Sequence, residues 1–113
     1  MRNVLLMTMA VSATIATPIF AQDADALVKR GNAVFQHWCA PCHAAGPRHP
    51  GTSALAVLYK GAKPAPLEER TDLDPGITRA FVRTGVSIMP PFRKTEISDA
   101  DLDALAAYLA LKR

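Results

Sequence analysis

Thirteen lysines and arginines against 10 aspartates and glutamates give this 113-residue chain a formal net charge of +3. That length holds one small domain, and the basic residues form no clustered patch of the kind nucleic acid requires. Two cysteines are too few for a secreted disulfide framework.

The chain opens on Met1-Arg2-Asn3, a short positive segment, followed by a mostly apolar stretch from Val4 to Ala16. Thr17-Pro18 interrupts it, and Ile19-Phe20-Ala21 precedes an abrupt change to Gln22-Asp23-Ala24-Asp25. This reads as a secretory signal peptide, residues 1–21, cleaved after Ala21. The apolar run is short for a bilayer span of about 20 residues, so no stable membrane anchor is expected. Removing Arg2 leaves 12 basic against 10 acidic residues, near +2, on the exported domain 22–113.

From about Ala24 to Trp38 the chain reads as an amphipathic helix. Leu27, Gly31, Val34, Phe35 and Trp38 recur on one face of a 3.6-residue period. Glycine costs a helix about 1 kcal/mol relative to alanine, so Gly31 on the apolar face predicts the close approach of another helix.

The segment HWCAPCHAAG, His37 to Gly46, follows. Cys39, Cys42 and His43 supply three potential zinc ligands, one fewer than a structural site takes, and His43 follows Cys42 too closely for a zinc knuckle. A thiol redox pair also uses Cys-x-x-Cys, but in a βαβ setting. Cys-x-x-Cys-His as a c-type haem attachment site accounts for every position. Two thiols add to the haem vinyl groups, and the histidine lies beneath the iron. The remaining nitrogen of His43 should then donate to a carbonyl, with that of Pro50 the first candidate and that of Pro47 the second.

Two shorter helices are expected next. Thr52 or Ser53 caps Ala54 to Lys60, with Leu55, Leu58 and Tyr59 inward and Gly61 ending it. Asp74 caps the other, with Pro75 at its first position, Ile77, Ala80 and Phe81 inward, and Gly85 as its stop. Prolines stiffen the connections at Pro47 to Pro50, Pro64 to Pro66 and Pro90-Pro91. Strand signals are absent. Tyr59, Trp38 and Arg70 are candidates to touch the edge or carboxylates of a bound haem, beside the plainer reading of packing or solvated charge.

Met89, in GVSIMPPF, is the one methionine of the exported domain. By itself it reads as a core residue, since methionine fills gaps. With the haem motif upstream it becomes a candidate distal ligand opposite His43, which would raise the potential and complete the coordination of the iron. His37 and His49 compete for that role, but bis-histidine ligation would carry the loop across the haem plane.

The last element starts at Ser98, an N-cap, with Asp99, Asp101 and Asp103 loading negative charge into its first turns. Leu102, Leu105, Ala106 and Leu109 form its apolar stripe, Tyr108 flanks it, and Lys112 and Arg113 close it with the sign the dipole favours. Gly31 and Phe35 are expected to meet Leu105 and Tyr108 where the two helices cross.

The N-terminal helix with Gly31 and Phe35, the CAPCH motif, the methionine loop and the aromatic Tyr108 together resemble class I cytochromes c, over the whole exported domain. That resemblance implies an all-α fold of about four helices around one covalent haem c. It also implies thioethers at Cys39 and Cys42 and iron ligated by His43 and Met89. HPGTSALAVLYKG, ERTDL and VRTGVSIMPPFRKTEISDADLDALAAYL are further similar to the small cytochrome subunits of p-cresol methylhydroxylase, eugenol hydroxylase and 4-ethylphenol hydroxylase. The narrower resemblance implies a periplasmic electron-transfer subunit without catalysis of its own. Its partner would be an FAD-containing subunit oxidising a para-alkylphenol, and its acceptor a periplasmic copper protein or cytochrome. A free diffusible cytochrome and a secreted Cys-x-x-Cys thiol oxidoreductase are the alternatives.

Overall fold

The structure, a computed structural model, describes residues 19–111, with side chains from Asp23 onward. The expected signal peptide lies outside the described residues except for Ile19–Ala21, and Lys112 and Arg113 also lie outside them. Helix α1 spans Ile19–Val34 and runs without a break through a π-helical turn, Phe35–Cys39, into the short α2, Ala40–His43. Helix α3 is Pro50–Tyr59, a 3-10 turn covers Leu67–Glu69, α4 is Pro75–Thr84 and α5 is Asp99–Leu109. Among the described residues the one extended pairing is an isolated bridge between Val86 and Met89. The fold is all-α, as the sequence implies. Among the described residues, no helix is long and apolar enough to cross a membrane.

The first and last helices make the largest contact in the fold, and Gly31 is the reason they can. A Cβ built on Gly31 would lie 2.1 Å from the Ala104 carbonyl oxygen and 2.6 Å from Tyr108 Cβ. One turn on, the Phe35 and Tyr108 rings meet at 5.8 Å between centroids. Phe35, Ile97 and Leu105 are fully enclosed in this core, with Leu102 and Leu109 around them. The Tyr108 hydroxyl donates to Glu68, fastening the 3-10 turn to the crossing.

The three aspartates of α5 do more than face the helix dipole. Ser98 Oγ accepts the Asp101 N–H at 3.1 Å, which is the predicted cap, and also donates to the Asp101 carboxylate at 2.8 Å. Asp101 in addition pairs with Arg30 of α1 at 2.7 Å, Asp103 with Arg79 of α4 at 2.8 Å, and Asp99 with Arg83 of α4 at 2.9 Å and Lys94 at 2.7 Å. Exposed pairs of this kind contribute about 0–1 kcal/mol each, but together they clamp α5 to both neighbours. Asp99 is held below its ordinary carboxyl value of 3.8 by Lys94 and then Arg83, and Asp101 by Ser98 and then Arg30. The unfolded chain therefore takes up these protons first. Their contribution is complete above the ordinary value and is lost as pH falls through the folded one. Urea midpoints should fall between about pH 5 and pH 2, and the Asp99→Asn, Asp101→Asn double variant should show a flatter acid limb. An acid limb equal to the parent's would show that these pairs contribute nothing.

Three expectations about the helices change. Helix α1 continues past Trp38 because Ala40 N–H reaches back to Phe35 O, five residues earlier, in the π-helical turn. Trp38 lies on the cavity lining instead of in the α1–α5 core, and both it and Leu27 are partly exposed. Helix α3 begins at Pro50, with His49 in the cap position. Thr52 therefore lies inside the helix, buried, and its hydroxyl donates to Ala44 O at 2.8 Å. The helix ends through Lys60 and Gly61, both with positive φ, at 49° and 83°. Helix α4 has the predicted Asp74 cap, which accepts the Gly76 N–H at 2.7 Å, and the predicted Gly85 stop at φ 68°. Its buried residues, however, are Thr78 and Val82, while Ile77 and Phe81 are 45% and 48% exposed. Leu58 of α3 is 69% exposed. These side chains do face inward, but onto a cavity instead of a packed core.

Candidate haem site

The cavity has a volume of about 790 Å³, and its lining is mainly apolar. That falls in the usual range of about 300–1,000 Å³ for cofactor sites. Helices α3 and α4 supply two of its walls, through Leu55 and Leu58 and through Ile77 and Phe81, and α5 adds Leu105 and Leu109. The π-helical turn and α2 place Trp38, Cys39, Cys42 and His43 on the same lining.

The two thiols differ. Cys42 is exposed, while Cys39 is 8% exposed and its pKa is pushed up to about 12, first by burial and then by the neighbouring Cys42. A Cys-x-x-Cys redox centre needs a thiol whose pKa is lowered. Cys39 has the opposite environment, and no βαβ unit surrounds it among the described residues. Neither feature of the site favours the thiol oxidoreductase alternative.

Burial lowers the pKa of His43, which favours the neutral imidazole a metal requires. Its Nδ1 is buried and has no hydrogen-bond partner. The expected bond to the carbonyl of Pro50 or Pro47 is not made. Instead the first turn of α3 lies directly on the ring. A Cβ at Gly51 would be 2.6 Å from His43 Cε1 and 2.8 Å from Nδ1. With Nδ1 sealed beneath Gly51, Nε2 is the nitrogen left free to ligate.

Met89 lines the same cavity. Its backbone is pinned, since Val86 N–H donates to Met89 O at 3.0 Å and Met89 N–H donates to Val86 O at 2.9 Å. The loop then returns to α4 through Phe92 N–H donating to Val82 O at 2.8 Å and Arg83 Nη1 donating to Phe92 O at 3.1 Å. Gly85 is required at its start, because a Cβ there would be 2.6 Å from Met89 O. The competing histidines lie elsewhere. His37 is exposed and packs edge-on against Trp38 at 4.8 Å, and His49 Nδ1 pairs with the Pro41 carbonyl at 3.1 Å. Neither lines the cavity.

One stretch of the rim is polar. Arg70 donates to the Tyr59 hydroxyl at 2.7 Å and grips Asp72 through Nε at 2.7 Å and Nη2 at 2.8 Å. Lys63 donates to Asp72 at 3.1 Å, and both cations lie 5.1 Å from the Tyr59 ring centroid. Arg70, followed by Lys63, holds the Asp72 carboxyl well below the usual carboxylate range. Tyr59 and Arg70 were legible as candidates, and Trp38 also reaches the lining, packed edge-on against Phe92 at 5.8 Å. Lys63 and Asp72 were not legible. Their one signal was the Arg70-x-Asp72 spacing, which is short enough for a local ion pair.

An apolar cavity with two thiols and an imidazole on one wall, a thioether on the lining and cations at the rim fits haem and its two carboxylates. Residues 26–109 match the family model described as cytochrome C oxidase, cbb3-type, subunit III. The chain belongs to this family of cytochrome c domains. No curated protein and no solved structure matches it. The family bears out the resemblance to class I cytochromes c, and it makes the chain an electron-transfer haem protein. In this cytochrome, the exposed apolar faces of α3 and α4 are walls of the cavity that fits the haem.

Proposed function

We propose that this cytochrome, exported to the periplasm, holds one haem c through Cys39 and Cys42, with His43 and Met89 as axial ligands. It would serve as the electron-transfer subunit of a flavocytochrome. Electrons would come from an FAD-containing subunit that oxidises a para-alkylphenol, and would pass to a periplasmic copper protein or another cytochrome. The observation that carries the ligand assignment is that His43 and Met89, alone among the candidate ligands, line one cavity. The haem supplies a one-electron couple. Around it, the apolar walls exclude water, His43 is held with Nδ1 sealed, the Met89 loop is pinned at both ends, and Arg70, Tyr59 and Lys63 are placed to receive the carboxylates. If His43 and Met89 both ligate the iron, they would leave no open position on it for oxygen or peroxide. On this reading its role would be carriage and not catalysis.

The partner assignment rests on the three stretches similar to the hydroxylase cytochromes. It is supported by the apolar rim, where Ile88, 86% exposed, stands beside Met89. The description of the matched family as an oxidase subunit favours a second reading, a carrier that serves a terminal oxidase. Native size and visible spectrum of periplasmic material distinguish the two. Haem eluting with a larger flavin-bearing protein supports the flavocytochrome, a lone red monomer moves the choice to the second reading, and a colourless protein overturns both. For the ligand set, Met89→Ala should keep haem attached, lower its potential and open the iron to added imidazole. An unchanged spectrum and potential would remove Met89 from the site.

A further inference from the structure

Hydroxyls inside this protein are accounted for, with one exception. Thr52 donates to Ala44 O at 2.8 Å, Thr84 donates to Ala80 O at 2.8 Å, and the Tyr59 hydroxyl accepts from Arg70 at 2.7 Å. Ser87, also on the cavity lining, is exposed. Thr78 is different. It is 7% exposed, lies on the cavity wall among Ile77, Phe81 and Val82, and its hydroxyl has no hydrogen-bond partner among the described residues. That oxygen is not sealed in the way His43 Nδ1 is, and the residue lines the cavity. A valine would have the same shape and no polar group to desolvate, and α4 does use valine one turn later, at Val82. A buried hydroxyl without a partner is unfavourable, so its place in an apolar wall calls for an acceptor that enters with the bound group.

We propose that Thr78 is a positioning residue for the haem site, and that its hydroxyl donates a hydrogen bond to an acceptor lone pair of the loaded cavity and so raises the haem potential. Two acceptors share this chemistry, the Met89 thioether and a haem carboxylate. In both cases the positive end of the hydroxyl dipole disfavours the more positive, oxidised iron. Loss of the hydroxyl therefore lowers the potential.

This inference rests on the haem and ligand reading above. Its test is Thr78→Val against Thr78→Ser in the haem-loaded protein. The valine variant should retain covalent haem and melt within a few degrees of the parent, yet show a downward shift in midpoint potential. The serine variant should stay at the parent value. Titration with imidazole then identifies the acceptor. Easier displacement of the sixth ligand in Thr78→Val points to Met89, and unchanged displacement with a lowered potential points to a carboxylate. An unchanged potential in Thr78→Val, or a serine variant that matches valine, overturns the proposal. Met89→Ala run in parallel separates the two failures, because an altered Met89→Ala spectrum beside an unaltered Thr78→Val would leave the ligand reading intact.

Discussion

Gly31→Ala should be among the most damaging single substitutions in this protein. The added methyl would meet the Ala104 carbonyl oxygen at 2.1 Å, its carbon at 2.7 Å and Tyr108 Cβ at 2.6 Å. Two of these atoms are backbone in the middle of α5, so no rotamer change relieves the clash, and α1 and α5 must separate. Separation opens the core around Phe35 and Leu105, both 0% exposed. Overpacking that side chains can absorb costs about 1–3 kcal/mol, and a backbone clash belongs at or above the top of that range. Better helix propensity returns only about 1 kcal/mol. A net loss near 2–3 kcal/mol is a large part of a total stability of about 5–15 kcal/mol, and would lower the melting temperature by about 10–20 °C for a domain of this size. Thermal melts of haem-loaded protein check it. A variant as stable as the parent would mean that the helices do not cross at Gly31.

Loss of the haem should do more. The Cys39→Ala, Cys42→Ala chain has no covalent hold on the cofactor, and its haem should be extracted by acidified organic solvent. At about 24 cal/mol per Å³, a dry void of 790 Å³ would cost roughly 19 kcal/mol, more than a small domain can spare. Water entering through the open side lowers that bound, but it leaves Leu58, Ile77 and Phe81 wetted. Once emptied of haem, the double variant should show weak near-ultraviolet circular dichroism, reduced helicity and no cooperative melt. A sharp melt of the emptied chain would show that the helices hold the fold by themselves.

The helix crossing was legible because it is encoded locally twice, by a glycine on an apolar face and by an apolar stripe behind a Ser98 cap. The reading of CAPCH as an attachment motif came from residue types and a spacing that admit few chemistries. The faces of α3 and α4 were legible only in part. Periodicity marks Leu58, Ile77 and Phe81 as residues that avoid water, but it cannot say that they face a cavity and not a neighbouring helix. The π-helical turn left no mark in composition, so it was not foreseeable. The partners of Asp99, Asp101 and Asp103 depend on how α1 and α4 lie beside α5, which one helix read alone does not carry. The unbonded Nδ1 of His43 depends on the approach of Gly51, eight residues away in sequence, and spacing suggested a carbonyl there instead.

The pairing of α1 with α5 also bears on when a haem could be attached. Leu105 and Leu109 belong to the last helix made, yet they finish the wall around residues that are synthesised much earlier. The crossing at Gly31 closes a loop of most of the domain, the kind of long-range contact that forms slowly. Until it forms, the segment from Cys39 to His43 is an open peptide whose thiols an attachment machinery can reach. Afterwards Cys39 is 8% exposed and sits at the back of a crevice. On the proposed attachment at Cys39 and Cys42, loading would come before closure, and α1 and α5 would meet around a cofactor already in place.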